Sequence, residues 1–95
     1  MGGISFEWDR RKESENRHKH TIGFAEARTT FGDPLSITID DPDSEPDEAR
    51  YVLVGMSNRR RLLIVVHTIR GDRIRLISAR FATRHERRSY EETTF

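Results

Sequence analysis

His67, Arg80, Arg50 and the cluster Arg84-Glu86-Arg87 are the side chains of this 95-residue chain best suited to chemistry. An imidazole exchanges protons near neutral pH, and a guanidinium offers a planar fork that matches phosphate oxygens. Together they describe acid–base work on a phosphate. Each also has a structural reading. His67 ends the most hydrophobic run of the chain and reads as a catalytic group or as a hydrogen-bonded histidine at the rim of the core. Arg80 stands where a strand gives way to a helix, a junction that commonly borders a cleft. Arg50 reads as a site residue or as an ion-pair partner of Asp47 or Glu48. Glu86 follows Thr83 by three residues, the spacing of a capping box, so it reads as a helix cap or as an acid. At Arg59-Arg60-Arg61, phosphate attraction competes with simple solubility. No metal site and no cofactor are expected. Cysteine is absent, the four histidines are interspersed with basic residues, and the acidic stretch has no ordered ligand pattern.

The elements that must position these groups follow from periodicity. Ile4, Phe6 and Trp8 alternate with Ser5 and Glu7, which predicts a half-buried strand and places Trp8 with the core. Asp9 is a candidate N-cap for a very polar helix running to about His18 or Lys19, with Lys19-His20 in its last turn. Phe24, Ala27 and Phe31 predict a short second helix that stops before Asp33-Pro34. A strand through Leu35, Ile37 and Ile39 follows, then an acidic, proline-containing stretch from Asp40 to Glu48 that reads as a mobile loop. Tyr51 to Met56, the apolar run Leu62 to Val66, and Arg73 to Arg80 predict three strands joined by tight turns at residues 57–60 and at Gly71-Asp72. In the last of these, Ile74, Leu76 and Ser78 are expected on one face and Arg75, Ile77 and Ala79 on the other. Thr83 and Glu86 open a final helix over residues 84–92. The order predicts an α+β fold with a mostly antiparallel sheet of about five strands, two N-terminal helices and one C-terminal helix.

Composition narrows the setting. Hydrophobic residues make up 34% and charged residues 35%, so the chain is polar, yet its apolar residues are grouped into runs that can fold. One domain spanning residues 1–95 is expected, burying only about 60–65% of its unfolded surface, which leaves room for a partner to add burial. Residues 33–50 carry seven Asp/Glu against one Lys/Arg, and residues 51–95 carry four against ten. Such a bipolar molecule attracts phosphates at one side, unless the charges only serve solvation. No apolar stretch reaches the roughly 20 residues of a membrane span, and Met1-Gly2-Gly3-Ile4-Ser5 lacks a leader pattern. A cytoplasmic protein is expected.

Several stretches carry a family resemblance. They are Phe6-Glu7-Trp8-Asp9 with Lys12, Asn16 and Lys19-His20; Phe24-Ala25-Glu26-Ala27 with Phe31 and Asp33-Pro34; Arg50-Tyr51-Val52 with Gly55; Val65-Val66-His67-Thr68 with Arg70; and Ile77-Ser78-Ala79-Arg80 with Ala82, Thr83, Glu86-Arg87 and Tyr90. In order and spacing the chain resembles the BrnT toxins. Three departures stand out. Thr21-Ile22-Gly23 follows Lys19-His20 where the family usually has Gly at once, so the turn is expected two residues later. Ala49 precedes Arg50 where Glu is common, and Phe81 follows Arg80.

The resemblance implies a RelE-like or microbial-ribonuclease-like fold and a metal-independent endoribonuclease that arrests growth. It implies a BrnA-like, ribbon-helix-helix antitoxin encoded alongside, with operator DNA reached only through that complex. In such an enzyme Arg80, His67, Arg50 and Glu86 are the candidate catalytic residues. Arg84, Arg87, Arg88, Lys12, Lys19, Arg59 and Arg60 are the candidate RNA contacts. The alternative is a non-catalytic module that binds nucleic acid or protein.

Overall fold

Asp9 accepts hydrogen bonds from the backbone N–H groups of Arg11 (2.8 Å) and Lys12 (3.0 Å), and the first helix starts there, as the sequence predicts. In chain order the elements are β1 (Ser5–Glu7), α1 (Arg10–His20), α2 (Phe24–Ala27) running into a 3-10 turn (Arg28–Gly32), β2 (Ile37–Asp40), β3 (Arg50–Met56), β4 (Leu62–Arg70), β5 (Arg73–Phe81) and α3 (Arg84–Thr93). The structure is a computed structural model that describes residues 4–93. Residues 1–3, part of the stretch read for a leader, and residues 94–95 lie outside the described residues.

The sheet order is β1-β5-β4-β3-β2. β2 to β5 pair antiparallel with their neighbours, as expected of consecutive strands joined by turns. β1 instead pairs parallel to β5, over Arg73 to Arg75 only, so the sheet is mixed. The run Leu62 to Val65 is buried at every residue, in keeping with its place on the central strand. One core lies between the sheet and the N-terminal helices, built from Ile22, Phe24, Ala27, Leu53, Val65 and their neighbours. Trp8 meets Phe24 edge-on at 6.0 Å, so it is a packing residue. On the opposite face, Ile37, Val54 and Ile64 lie beneath α3 and its Tyr90.

Three local expectations are corrected. β5 does not alternate strictly: Ser78 pairs with Val66 and Leu76 with His67, leaving Ile77 as a bulge. Leu76 and Ala79 therefore bury in the same core instead of facing opposite ways. β2 begins at Ile37, because Asp33 draws Leu35 into a turn by accepting its N–H (2.9 Å) while its carbonyl takes that of Ser36 (3.0 Å). The turn after α1 stays in place: Thr21 itself adopts φ 61°, a left-handed conformation that costs a β-branched residue about 1–2 kcal/mol. The acidic stretch is folded back on β3, with Ser44 accepting the Arg50 N–H (2.8 Å) and donating to the Arg50 carbonyl (3.1 Å). Among the described residues, no helix is long and apolar enough to cross a membrane.

Candidate active site

The head of α3 is fixed by a reciprocal cap. Glu86 N–H donates to the Thr83 hydroxyl (3.2 Å) and Thr83 N–H donates to the Glu86 carboxylate (2.8 Å). The same carboxylate receives both arms of the Arg80 guanidinium, each at 2.8 Å. That pair, with help from the Thr83 N–H, pulls the Glu86 carboxyl down to about 2. Glu86 is thus ionised at neutral pH, acting as a cap and as the holder of Arg80. The far end of α3 is tied down by Tyr90, whose hydroxyl donates to Asp33 (2.7 Å). Asp33 also accepts the Met56 N–H at 2.8 Å, and burial together with Asp33 pushes the Tyr90 hydroxyl up to about 12.

His67 is elsewhere. Its ring packs on Phe31 at 4.8 Å and Tyr51 at 5.8 Å, it is 4% exposed, and Nδ1 lies 3.3 Å from the Val65 carbonyl. Burial lowers its pKa, which keeps the ring neutral. Arg80 follows core-facing Ala79 and pairs with Ile64, so it projects from the other face of the sheet. The structure does not bring His67 and Arg80 together. Arg50 follows the parity of Arg80, since its neighbour Tyr51 is the one that touches His67. Its expected ion pair is not formed with Glu48, which binds Arg70 at 3.1 Å. Through the register, the backbones of Arg50 and Arg80 lie roughly 16 Å apart, far enough to hold separate phosphates of one strand.

The remaining cations fall into three groups. Arg84, Arg87 and Arg88 are exposed along α3, with Arg87 only loosely paired to Glu91 at 3.9 Å. Arg59 and Arg60 cap the β3–β4 hairpin, whose base is locked by Glu26 accepting from Ser57 Oγ (2.7 Å) and Arg61 Nε (2.8 Å). Arg61 lies over the Phe81 ring at 5.2 Å, and Ala82 N–H donates to the Leu62 carbonyl. The hairpin tip and the head of α3 therefore share one end of the sheet. Lys12 and Lys19 lie apart from them, lining a groove between α1 and β5.

Sequence reasoning missed Asn16, Glu26 and Asp33 as anchors. Asp33 and Tyr90 stand among the residues that carry the family resemblance, but no local pattern links side chains 57 positions apart. Among the described residues, no three His, Asp or Glu side chains gather as a metal site.

The fold is that of a small α+β ribonuclease toxin. The chain superposes on the 1.1 Å crystal structure of the Brucella abortus ribonuclease toxin BrnT with a TM-score of 0.67 and 20% identity, over 86% of this chain and all of that one. Residues 8–86 match the family model of the ribonuclease toxin BrnT of type II toxin–antitoxin systems, and the chain belongs to that family. No curated protein matches it.

Proposed function

We propose that the chain is a metal-independent endoribonuclease of RelE-like type, a single cytoplasmic toxin domain over residues 1–95 that arrests growth when free. A BrnA-like, ribbon-helix-helix antitoxin restrains it, and operator DNA is reached only through that complex. The observation that carries this reading is the Arg80 guanidinium, held by both arms on Glu86 at the head of α3 beside exposed Arg84, while Arg59 of the neighbouring hairpin is turned to Glu26 at 3.7 Å. Cleavage by the neighbouring 2′-oxygen builds negative charge on a five-coordinate phosphorus, and oriented guanidinium groups stabilise that charge without a metal. Arg80 is the catalytic cation, with Glu86 as its positioning residue. Arg50, Arg84, Arg87 and Arg88 hold flanking phosphates. His67 contributes packing at the far face.

A second reading, a binder without catalysis, draws on one feature: the fork of Arg80 is already filled by Glu86. Purified protein incubated with RNA in EDTA separates the two. The enzyme leaves 2′,3′-cyclic phosphate ends, and the binder leaves the RNA intact. Arg80→Ala is expected to abolish cleavage while the thermal midpoint falls by no more than about 10 °C, since a part-exposed ion pair and no core volume is lost. Arg80→Lys keeps the charge but not the fork and should lose most of the rate; full activity in that variant would reduce Arg80 to bulk positive potential.

A further inference from the structure

RNA cleavage needs a group that moves protons, and the expected imidazole, His67, is buried on the wrong face. We propose that the groove between α1 and β5 binds the scissile phosphate, with Lys12 and Lys19 on its oxygens and His20 as the proton donor. This deepens the ribonuclease reading and rests on it.

The groove exists because β1 covers β5 only from Arg73 to Arg75. Beyond that point the strand has no neighbouring strand, and α1 lies along it instead. The side-chain amide of Asn16 stands in for the missing strand. It accepts the Ala79 N–H (3.0 Å) and donates to the Ala79 carbonyl (2.9 Å) and to that of Ile22 (2.8 Å). This fixes which stripe of α1 faces β5. Positions 12, 16, 19 and 20 follow helical spacing, so Lys12, Lys19 and His20 share the stripe with Asn16. They line an opening of about 240 Å³ whose far wall is Ile77 and Ser78, at the bulge that bends the strand.

The groove is positive. Glu15 is its one carboxylate, and that side chain is paired with Arg11 at 3.4 Å on the exposed side. Among the described residues neither Lys12 nor Lys19 has an ion-pair partner. The charged groups around His20 are therefore Lys12, Glu15 and Lys19 of its own helix, while Ile77 and Ser78 of β5 do not titrate. Arg80 stands two residues from Ser78 on the same face of β5, about 7 Å along the strand, so its guanidinium is the third cation on that same phosphate once it shares or exchanges Glu86.

In the reaction the 2′-oxygen forms a bond to phosphorus and releases its proton to water. The bond from phosphorus to the 5′-oxygen breaks, and the imidazolium of His20 gives that oxygen its proton. The products are a 2′,3′-cyclic phosphate and a 5′-hydroxyl, and His20 is reprotonated from solvent. General acid catalysis of this kind is worth roughly 10²- to 10⁴-fold.

The test uses the full chain, a cleavable RNA, and a fully 2′-O-methylated strand of the same sequence that cannot be cut. His20→Gln should slow single-turnover cleavage at least about 100-fold. It should leave binding of the methylated strand within about twofold and remove the limb of the rate–pH profile that reports the imidazolium. The double variant Lys12→Ala/Lys19→Ala should weaken that binding and flatten its dependence on log salt by about 1.4, two phosphate contacts' worth. Wild-type cleavage and an unchanged pH profile in His20→Gln would overturn the proposal while the ribonuclease reading stands. So would a loss of cleavage matched by an equal loss of binding. A wild-type chain that cuts no RNA would remove the ribonuclease reading itself, and this proposal with it.

Discussion

A guanidinium already closed on a carboxylate can meet a phosphate only by sharing or exchanging its partner. Arg80 is in that position, and its hold on Glu86 is also a stability element, because the carboxyl titrates at about 2 in place of its ordinary 4.5. The depressed value means the unfolded chain binds the proton more readily. The contribution is full above about pH 4.5 and is lost as pH falls toward 2. With Arg80 40% exposed at its side chain, solvent screening holds it to about 1–2 kcal/mol. His67 acts earlier on the acid side: burial lowers its pKa below 6.5, so stability declines once pH drops under that value. Urea midpoints of the wild type should therefore fall from about pH 6.5 downward, with a second decline below about pH 4.5. His67→Phe should remove the first decline and keep the second. A wild-type midpoint level between pH 7 and pH 5 would show that His67 is not held neutral by burial.

Helices usually attach by an apolar stripe, yet the one residue of α1 that is buried is Asn16. The side chain of Asn16 makes the contacts that a paired strand would make, so Asn16→Leu strands the Ala79 N–H and two carbonyls against an apolar group of similar size. We expect a loss of about 2–4 kcal/mol in urea unfolding. A loss below about 0.5 kcal/mol would mean that α1 is held by something other than Asn16. The same contrast explains what the sequence disclosed. The Asp9 cap, the Thr83–Glu86 box and strands β3 to β5 were legible because each is written within a few residues, as a cap spacing or an alternation. Asn16 to Ala79, Glu26 to Arg61 and Asp33 to Tyr90 span 63, 35 and 57 residues, and local spacing carries no trace of them. The bulge at Ile77 was hidden for a different reason. One unpaired residue inverts the face of everything beyond it, and only the partner strand reveals the shift. The place of Arg80 beside a helix start is legible in the local spacing, whereas the burial of His67 depends on which face of β4 meets the core.

At the scale of the molecule, charge is divided between an acidic segment folded back at the start of β3 and the arginines of α3 and the β3–β4 hairpin. An antitoxin that shields the basic end should be steered by it. Reversing Arg84, Arg87 and Arg88 to glutamate should slow association at least about tenfold at low salt, with a smaller change in dissociation. An association rate untouched by the reversal would place the antitoxin on another surface. The parallel pairing of β1 with β5 bears on a different matter, the order of events during synthesis. Contacts such as Glu7 to Arg73 join residues 66 positions apart, so the first strand leaves the ribosome well before its partner exists. Arg80, Glu86 and Tyr90 emerge later still. The nascent chain therefore lacks a finished sheet for most of its translation, and the topology of one short strand sets when that sheet can close.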